Sequence, residues 1–461
     1  MHMPSKSIAT SLLAFVAPLV AAAQQQPAIR QLGPVVAKTT TPLASLSTVR
    51  HLPGNRVLVN DISARKVLLF DSTLANPIVV ADSTSATANA YSGRTGGLIA
   101  YRGDSSLFVD PTSMSMLVLD GQGKVARVMS VPRSQDAMTL AGPFAQNAGF
   151  DAQGRLVYRE GFRFTPAPRP AGANPGMPMM PEQPDSSQII RVDLATRKVD
   201  TVGAVKVMKL KMNVQTDANG RMTMTNEINP LPVVDEWAVL SDGSVAFVRG
   251  RDYHVDVVAR DGTKHSAAKM PFDWQRLSDE DKVAFIDSVK AVRERMAAAA
   301  AANAPAGASG NQQIVTRDGA AGGPPPGAGG GEPRIMIQMG PGQGGGGPGR
   351  DGGRGAGGPN AAGFTPGPLV FIAPSELPDY KPPFFAGSVR ADADGNLWIR
   401  TIPTRKMAGG PVYDVVNGKG ELIDRVQIPE GRVISGFGTG GVVYLSQRDN
   451  TGVTLERARV K

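Results

Sequence analysis

Cysteine is absent from this sequence of 461 residues, and histidine occurs only four times. Without cysteine there are no disulfides, iron–sulfur clusters, Cys-ligated zinc sites or thiol nucleophiles. His51 falls in a different repeat unit from His254 and His265, so a three-histidine metal site is not expected. No Gly-x-Ser-x-Gly elbow, P-loop or dinucleotide fingerprint occurs either. The sequence therefore contains few of the residues and motifs that are typical of enzymes.

The sequence is also poor in residues that sustain long helices. It contains 54 Gly and 37 Pro, and inside a helix each costs about 1 and about 3 kcal/mol, respectively, relative to Ala. Hydrophobic residues make up 41% of the chain, which is enough for a sizeable core. This composition excludes a mainly helical protein and indicates a β-rich one.

Long hydrophobic runs are confined to the N-terminus. Lys6 precedes an apolar stretch over residues 8–20, and three alanines at 21–23 form a typical signal-peptidase site before Gln24. The stretch is too short to cross a bilayer, which takes about 20 residues. We predict a signal peptide over residues 1–23 that is cleaved after Ala23, with no transmembrane segment and no lipid anchor. The mature chain is expected in the periplasm or outside the cell.

A short β pattern recurs six times within residues 24–461: a turn, an apolar strand and a charged residue. The copies at 54–61, 242–249 and 392–400 show it clearly. Where no insertion intervenes, copies are about 45–50 residues apart, which is the length of a four-stranded propeller blade. We therefore predict an all-β, six-bladed β-propeller. A pair of β-sandwich domains is the alternative, but it does not explain six copies of one turn.

The last repeat has only three strands after Gly431. Residues 28–32, which follow the signal peptide, are predicted to supply its missing outer strand. Such a closure joins the two ends of the ring and removes exposed strand edges.

Three segments resemble a known class of protein: 377–384 (LPDYKPPF), 394–399 (DGNLWI), and 413–415 (YDV) with Gly420. They resemble the secreted six-bladed β-propeller proteins of bacteria that are related to NHL-repeat propellers. The resemblance covers most of residues 28–461 apart from the insertions. It implies the propeller fold and no particular activity.

Four insertions interrupt the repeats. They are a Pro/Met/Gly-rich loop at 164–187, a hairpin at 207–232, a helix at 278–303 and a Gly/Pro-rich tract at 304–367. The last tract cannot bury enough apolar surface to offset the entropy of ordering, so we predict that it is disordered.

The inserted helix has a recognisable start. Ser278 is a typical N-cap, and Asp281 stands at the capping-box position. Val283, Ile286 and Val289 are spaced for one face of the helix, which we expect to pack over the propeller rim.

Charged residues close the six repeats, and equivalent strand ends in a propeller gather around its axis. We therefore predict that they ring one mouth of the central channel, together with two residues of the fourth-blade turn. The set is Asp61, Asp110, Glu160, Arg249, Arg400 and Arg448, with Arg251 and Tyr253 at the rim. The guanidinium group of Arg can donate two parallel hydrogen bonds to a carboxylate. The ring therefore predicts a polar binding site for a small zwitterionic, carboxylated or sugar ligand. The alternative is that these charges only pair or stay solvated.

The function predicted from these features is a non-catalytic scaffold that binds an unknown small ligand or an envelope protein. No catalytic residue, metal ligand or cofactor is predicted, with calcium as the metal left open. Residues 392–403 lack the glycine and the final carboxylate of a calcium loop. One alternative is a lactonase-like or lyase-like hydrolase that uses channel carboxylates and a metal. Another is an extracellular matrix or adhesive protein that uses the Gly-rich tract.

Nucleic acid is not expected as a partner. Aromatic residues make up only 5% of the chain, although the net charge is +9. Single-stranded nucleic acids need stacking platforms as well as positive charge.

Overall fold

The computed structural model describes residues 26–460 except 94, 142–146, 162–182, 210, 217–221, 303–364, 367–369 and 406. The predicted signal peptide lies outside the described residues. So do most of the loop at 164–187 and nearly all of the Gly-rich tract at 304–367.

Six antiparallel sheets of at least four strands form the six blades. Two short strands come first, β1 (Ile29–Gln31) and β2 (Ala37–Lys38). The strands of blades 1 to 3 are β3 (Leu46–Leu52), β4 (Arg56–Asp61), β5 (Lys66–Phe70), β6 (Ile78–Ala81), β7 (Gly97–Ala100), β8 (Ser106–Asp110), β9 (Ser115–Leu119), β10 (Val125–Ser130), β11 (Gly149–Phe150), β12 (Leu156–Arg159), β13 (Ser186–Val192) and β14 (Val199–Lys206).

An additional hairpin follows blade 3, made of β15 (Lys211–Thr216) and β16 (Met222–Ile228). Blade 4 and the two short strands after it are β17 (Glu236–Val239), β18 (Val245–Arg249), β19 (His254–Val258), β20 (Lys264–Ser266), β21 (Thr365–Pro366) and β22 (Val370–Phe371). Blades 5 and 6 contain β23 (Phe384–Ala391), β24 (Leu397–Thr401), β25 (Val412–Val416), β26 (Leu422–Gln427), β27 (Arg432–Gly438), β28 (Val442–Asp449) and β29 (Gly452–Arg459). The helices are α1 (Ala137–Ala141) and α2 (Asp279–Ala302).

An N-terminal strand closes the ring, as predicted, but the predicted residues are wrong. Residues 28–32 do not complete blade 6; β1 instead adds to blade 5, in parallel with β26. The outer strand of blade 6 is β2, which pairs with β29. The difference arises because polar side chains hold β1 to blade 5: Arg30 pairs with Asp424, and Gln31 donates to Gln427.

The two faces of the propeller carry different connections. On one face, which we call the turn face, the connections are 53–55, 71–77, 101–105, 120–124, 151–155, 193–198, 240–244, 259–263, 392–396, 417–421 and 439–441. On the other face the first strand of each blade begins and the second strand ends. We call it the insertion face, because the long connections lie there: 82–96, 131–148, 160–185, 207–235 and 267–383.

The hydrophobic core lies between neighbouring blades. Between blades 4 and 5, Val248 and Val255 pack with Leu397 and Ile399. Other clusters of this kind join the remaining neighbours. Alternate residues of each strand therefore face opposite neighbours, as the two-residue period of a strand requires.

The insertions form a cap on the insertion face beside blades 3 to 5. Strand β16 pairs with β15 and, in parallel, with β21 and β22. Helix α2 starts with the predicted capping box, since Ser278 and Asp281 exchange hydrogen bonds. Its buried face includes Ile286 and Val289, but Val283 is 46% exposed and does not belong to it.

Candidate functional site

The six repeat-closing residues all lie at the insertion face. They stand at or just after the ends of the second strands, one strand out from the axis. Among the residues that the structure describes, the three acids and three arginines form no salt bridge with one another. Each contacts its own surroundings instead.

The acids Asp61 and Asp110 are buried and bind loops of the insertion face. Asp61 accepts hydrogen bonds from the backbone N–H groups of Ala44 and Ser45, at 2.8 and 2.9 Å. Asp110 accepts from the hydroxyls of Ser92 and Ser113. Both carboxylates are thus engaged within the protein.

Glu160 belongs to a charged network that joins blades 2 and 3. Its Oε1 accepts from Arg133 Nη2 at 3.0 Å, while Arg133 Nε donates to the buried Asp136 at 2.5 Å. Burial disfavours the charge of Arg133, but Asp136 and Glu160 outweigh it and raise the Arg133 pKa. Tyr158 also donates to Asp136, at 2.8 Å.

Arg249 is likewise paired, with acids that were not in the predicted ring. Its Nε donates to Asp256 at 2.7 Å, and its Nη1 donates to Asp235 at 3.0 Å. Burial disfavours its charge, but these two acids outweigh burial and raise the Arg249 pKa.

Tyr253 differs most from its expected place at the rim. It is fully buried, and its hydroxyl donates to Asp414 of blade 5 at 2.6 Å. Burial and the neighbouring Asp414 raise the Tyr253 pKa. Asp414 in turn accepts from Arg425 at 3.1 Å. Tyr253 thus joins blades 4 and 5 rather than facing solvent.

The remaining arginines of the predicted set have no acidic partner in the described ranges. Arg251 is exposed, and Arg448 is exposed with one long bond, 3.4 Å, to the carbonyl of Ala44. Arg400 is half-buried, and its guanidinium group has neither a hydrogen bond nor an ion pair with any described residue. The cationic half of the ring is therefore freer than the acidic half.

Charged residues near the axis were missed by the sequence analysis. Arg50 lies on β3, Arg159 on β12 and Arg390 on β23, and each is half-buried. Burial lowers the pKa of all three, that of Arg159 to about 10. Arg50 donates to the carbonyls of His51 and Gly103. Arg50 and Arg390 thus lie on innermost strands, and Arg159 lies one strand further out.

Glu236 is the acidic counterpart near the axis. It is the first residue of β17, and burial raises its pKa to about 7, against the opposing effects of the Gly387 N–H and Arg159. Gly387 donates its N–H to Oε1 of Glu236 at 2.5 Å. This hydrogen bond links the innermost strands of blades 4 and 5.

Gly387 lies in a large β-bulge of β23. Phe384 pairs with Thr401, and the next pair is Val389 with Ile399, so residues 385–388 oppose Arg400 alone. Gly387 has a φ of +74°, which an L side chain rarely adopts. Phe385 packs against the hydrophobic cluster of the cap. The bulge therefore connects β17, the cap and the axis.

The bulge is accompanied by uneven spacing of the inner strands. The first strands of neighbouring blades contact one another from β27 through β3, β7, β11 and β17 to β23. Among the described residues, β23 and β27 make at most marginal contact. The inner strands are thus packed least closely between blades 5 and 6, and we call the place between β23 and β27 the gap.

The axial residues escaped notice because the repeat was recognised by its Gly turn and the strand after it. That strand is the second of each blade. The innermost strand precedes the turn, where Arg390 and Glu236 interrupt apolar residues. A charge inside the strand before each turn was the signal that could have found them.

The described residues contain no group of three or more His, Asp or Glu placed to hold a metal ion. The carboxylates nearest the mouth bind arginines, hydroxyls or backbone N–H groups. Calcium requires six to eight oxygen ligands. The described side chains do not fit such a site.

No protein-family model matches this chain, and no curated protein does. Solved structures of similar fold include a gluconolactonase from Xanthomonas campestris, with 10% identity, a TM-score of 0.37 and coverage of 95% of this chain and 96% of that chain. Another is the calcium-binding protein regucalcin from Agrobacterium tumefaciens, with 11% identity, a TM-score of 0.35 and coverage of 94% and 98%. A member of the duf4221 family from Bacteroides vulgatus has 9% identity, a TM-score of 0.39 and coverage of 94% and 99%. At these values the likeness concerns the fold and carries no functional argument.

Proposed function

We propose that this propeller is a non-catalytic binding scaffold that takes a small anionic ligand at the insertion-face mouth of its channel. The proposal rests on a difference between the acids and the arginines of the predicted ring. Its acids are held by protein groups, whereas Arg400 and Arg251 have no acceptor among the described residues. Arginines without carboxylate partners favour an anion over a zwitterion or a neutral sugar.

A panel of small anions tests this proposal. Acetate, citrate, gluconate and inorganic phosphate are titrated into the mature protein at low ionic strength, with glucose and betaine as neutral and zwitterionic controls. We expect at least one anion to bind and to raise the melting temperature, because a ligand that binds only the folded state stabilises it. Binding of the controls alone, or of nothing, overturns the proposal.

Glu236 favours a second candidate, a hydrolase. A carboxyl group with a pKa of about 7 is suited to general acid–base catalysis near neutral pH. The metal of the predicted lactonase-like mechanism has no fitting ligand group in the described residues, so we derive no step through it. Hydrolysis of a panel of lactones by wild type but not by Glu236→Gln would favour this candidate over the scaffold.

Export and adhesion remain proposals from the sequence. In the described residues, no helix has the length and apolar character to cross a membrane. We propose that the chain is exported after cleavage at Ala23, which the N-terminal mass of the mature protein tests. An adhesive role of residues 304–367 is tested by deleting them and measuring attachment of cells to a surface.

A further inference from the structure

Two arginines share one face of blade 5. Arg390 lies directly opposite Trp398 in the pair of β23 and β24, and Arg400 follows Trp398 by two residues. Opposite residues of an antiparallel pair, and residues two apart on one strand, point to the same side. Arg390 and Arg400 are therefore diagonal neighbours, with Cβ atoms about 7–8 Å apart at most.

This face is turned towards blade 6. Trp398 packs against Phe437 of β27, with ring centroids 5.2 Å apart, in the cluster that joins the two blades. The side chains of Arg390 and Arg400 consequently lie on the side where β23 and β27 are only in marginal contact. The gap in the ring of inner strands is thus lined by two cations.

Neither arginine has a counter-ion. In the described part of the chain, the guanidinium groups of Arg390 and Arg400 form no hydrogen bond or ion pair. On the blade 6 side, Glu456 is already bound by Arg432 at 2.5 and 3.2 Å. Burial lowers the pKa of Arg390, and a guanidinium stays charged in proteins. A partly desolvated charge attracts an oppositely charged ligand more strongly than a fully hydrated one does, which favours an anion at this place.

We propose that Arg390 and Arg400 form an anion-binding site in the gap between β23 and β27. Its ligand is a small molecule that presents carboxylate or phosphate oxygens to both guanidinium groups. Solvent reaches both side chains, since each is only half-buried. The bulge at 385–388 keeps β23 on the blade 4 side, through the bond from Gly387 to Glu236, and thereby keeps the gap open. This site rests on the proposed anion binding, and it extends that binding from Arg400 near the insertion face to Arg390 near the turn-face end of β23.

The experiment compares Arg390→Met, Arg400→Gln and the control Arg260→Gln. Arg260 is an exposed arginine of the turn face, so the control removes the same charge elsewhere. Citrate and inorganic phosphate are the probes, and affinity and melting temperature are measured for each protein. We expect both site variants to weaken binding at least tenfold and the control to leave it within twofold. The better of the two probes identifies the oxygen chemistry.

Melting temperatures without anion separate a ligand site from a structural one. Unliganded Arg390→Met is expected to melt at about the wild-type temperature or above it, because it removes a half-buried charge that has no ionic partner among the described residues. A large decrease, or undiminished anion binding by both variants, overturns the assignment while leaving anion binding by the wild type intact. If the wild type binds neither citrate nor phosphate nor any other anion of the panel, the proposed function itself fails. Should Arg390→Met not fold, Arg400→Gln alone decides the assignment.

Discussion

The two faces of this propeller use the same residue type for different purposes. On the turn face, Asp and Asn side chains close short turns on themselves: Asp120 accepts from the N–H groups of Gln122 and Lys124, at 2.9 and 2.8 Å. On the insertion face, acids such as Asp136 are buried and bind residues of distant segments. Asp394 is an exception on the turn face, since it accepts from the N–H groups of Gly440 and Gly441 in blade 6. The buried ionic network of Asp136 nevertheless lies on the insertion face, so we expect single charges to matter most there.

The largest effect expected from this comparison is that of Asp136→Ala. The variant leaves the half-buried Arg133 with Glu160 alone and leaves the Tyr158 hydroxyl without its acceptor. Breaking a buried ion pair from one side costs about 3–5 kcal/mol of unfolding free energy. On the turn face, Asp120→Ala removes hydrogen bonds that together are worth only about 1–2 kcal/mol. Urea unfolding measures both, and equal losses would contradict the difference between the faces.

The turn face is also sensitive to the space around its backbone, and two of its glycines form a matched pair. Gly243 and Gly262 have φ of +87° and +90°, so an alanine at either position costs about 1–2 kcal/mol for the left-handed conformation. A Cβ at Gly243 would lie 2.4 Å from the N atom of Ala152, whereas at Gly262 nothing lies within 4 Å. Gly243→Ala should cost a further 1–3 kcal/mol or so from overpacking.

Unfolding midpoints of the two alanine variants give this comparison directly. Similar midpoints would mean that blades 3 and 4 are not in close contact at the turn face.

Glu236 predicts a pH dependence at the axis. Burial raises its folded pKa from 4.5 to about 7, so the folded state holds the proton more tightly than the unfolded state. Its contribution to stability is complete below about pH 4.5 and is lost as the pH rises to about 7. At about 1.36 kcal/mol per pKa unit, the loss is at most about 3 kcal/mol.

Glu236→Gln, which keeps an acceptor for Gly387, should remove this dependence. We expect the variant to exceed the wild type in unfolding free energy by a margin that grows between pH 5 and pH 7 and then levels off. Glu421→Gln, on the exposed turn face, is the control and should show no such margin. A constant difference across the pH range would argue against a desolvated Glu236.

The fold was largely predictable because its signals are local. In a turn such as 392–396, the side chain of Asp392 accepts hydrogen bonds from N–H groups of the same turn. Six such turns at regular spacing indicate six blades. It was not predictable that β1 adds to blade 5 and β2 to blade 6. This arrangement depends on the ion pair between Arg30 and Asp424, which are nearly the whole chain apart in sequence. The burial of Tyr253 was missed for the same reason, since its partner Asp414 lies on another blade.

The candidate site was only partly predictable. Counting strand ends led to Arg400, which lies at the insertion face, but no local pattern shows that residues 385–388 bulge. The bulge brings the Gly387 N–H group to Glu236 of blade 4. Whether a charge near the axis is paired depends on such contacts between blades, and not on the sequence around the charge.

The smallest effect on stability is expected for Arg400→Glu, the variant that tests the function proposed for the insertion face. Arg400→Glu reverses a charge on the insertion face but breaks no bond among the described residues, because Arg400 has no partner there. It also places a carboxylate beside the unpaired Arg390. We therefore expect the unfolding free energy to change by no more than about 0.5 kcal/mol, as for ordinary surface substitutions. Binding of anions should nevertheless be lost, since the new Glu–Arg pair occupies the gap and repels them. A loss of about 3–5 kcal/mol, the cost of breaking a buried pair, would instead make Arg400 a structural residue. Retention of wild-type anion affinity would place the ligand away from the gap between blades 5 and 6.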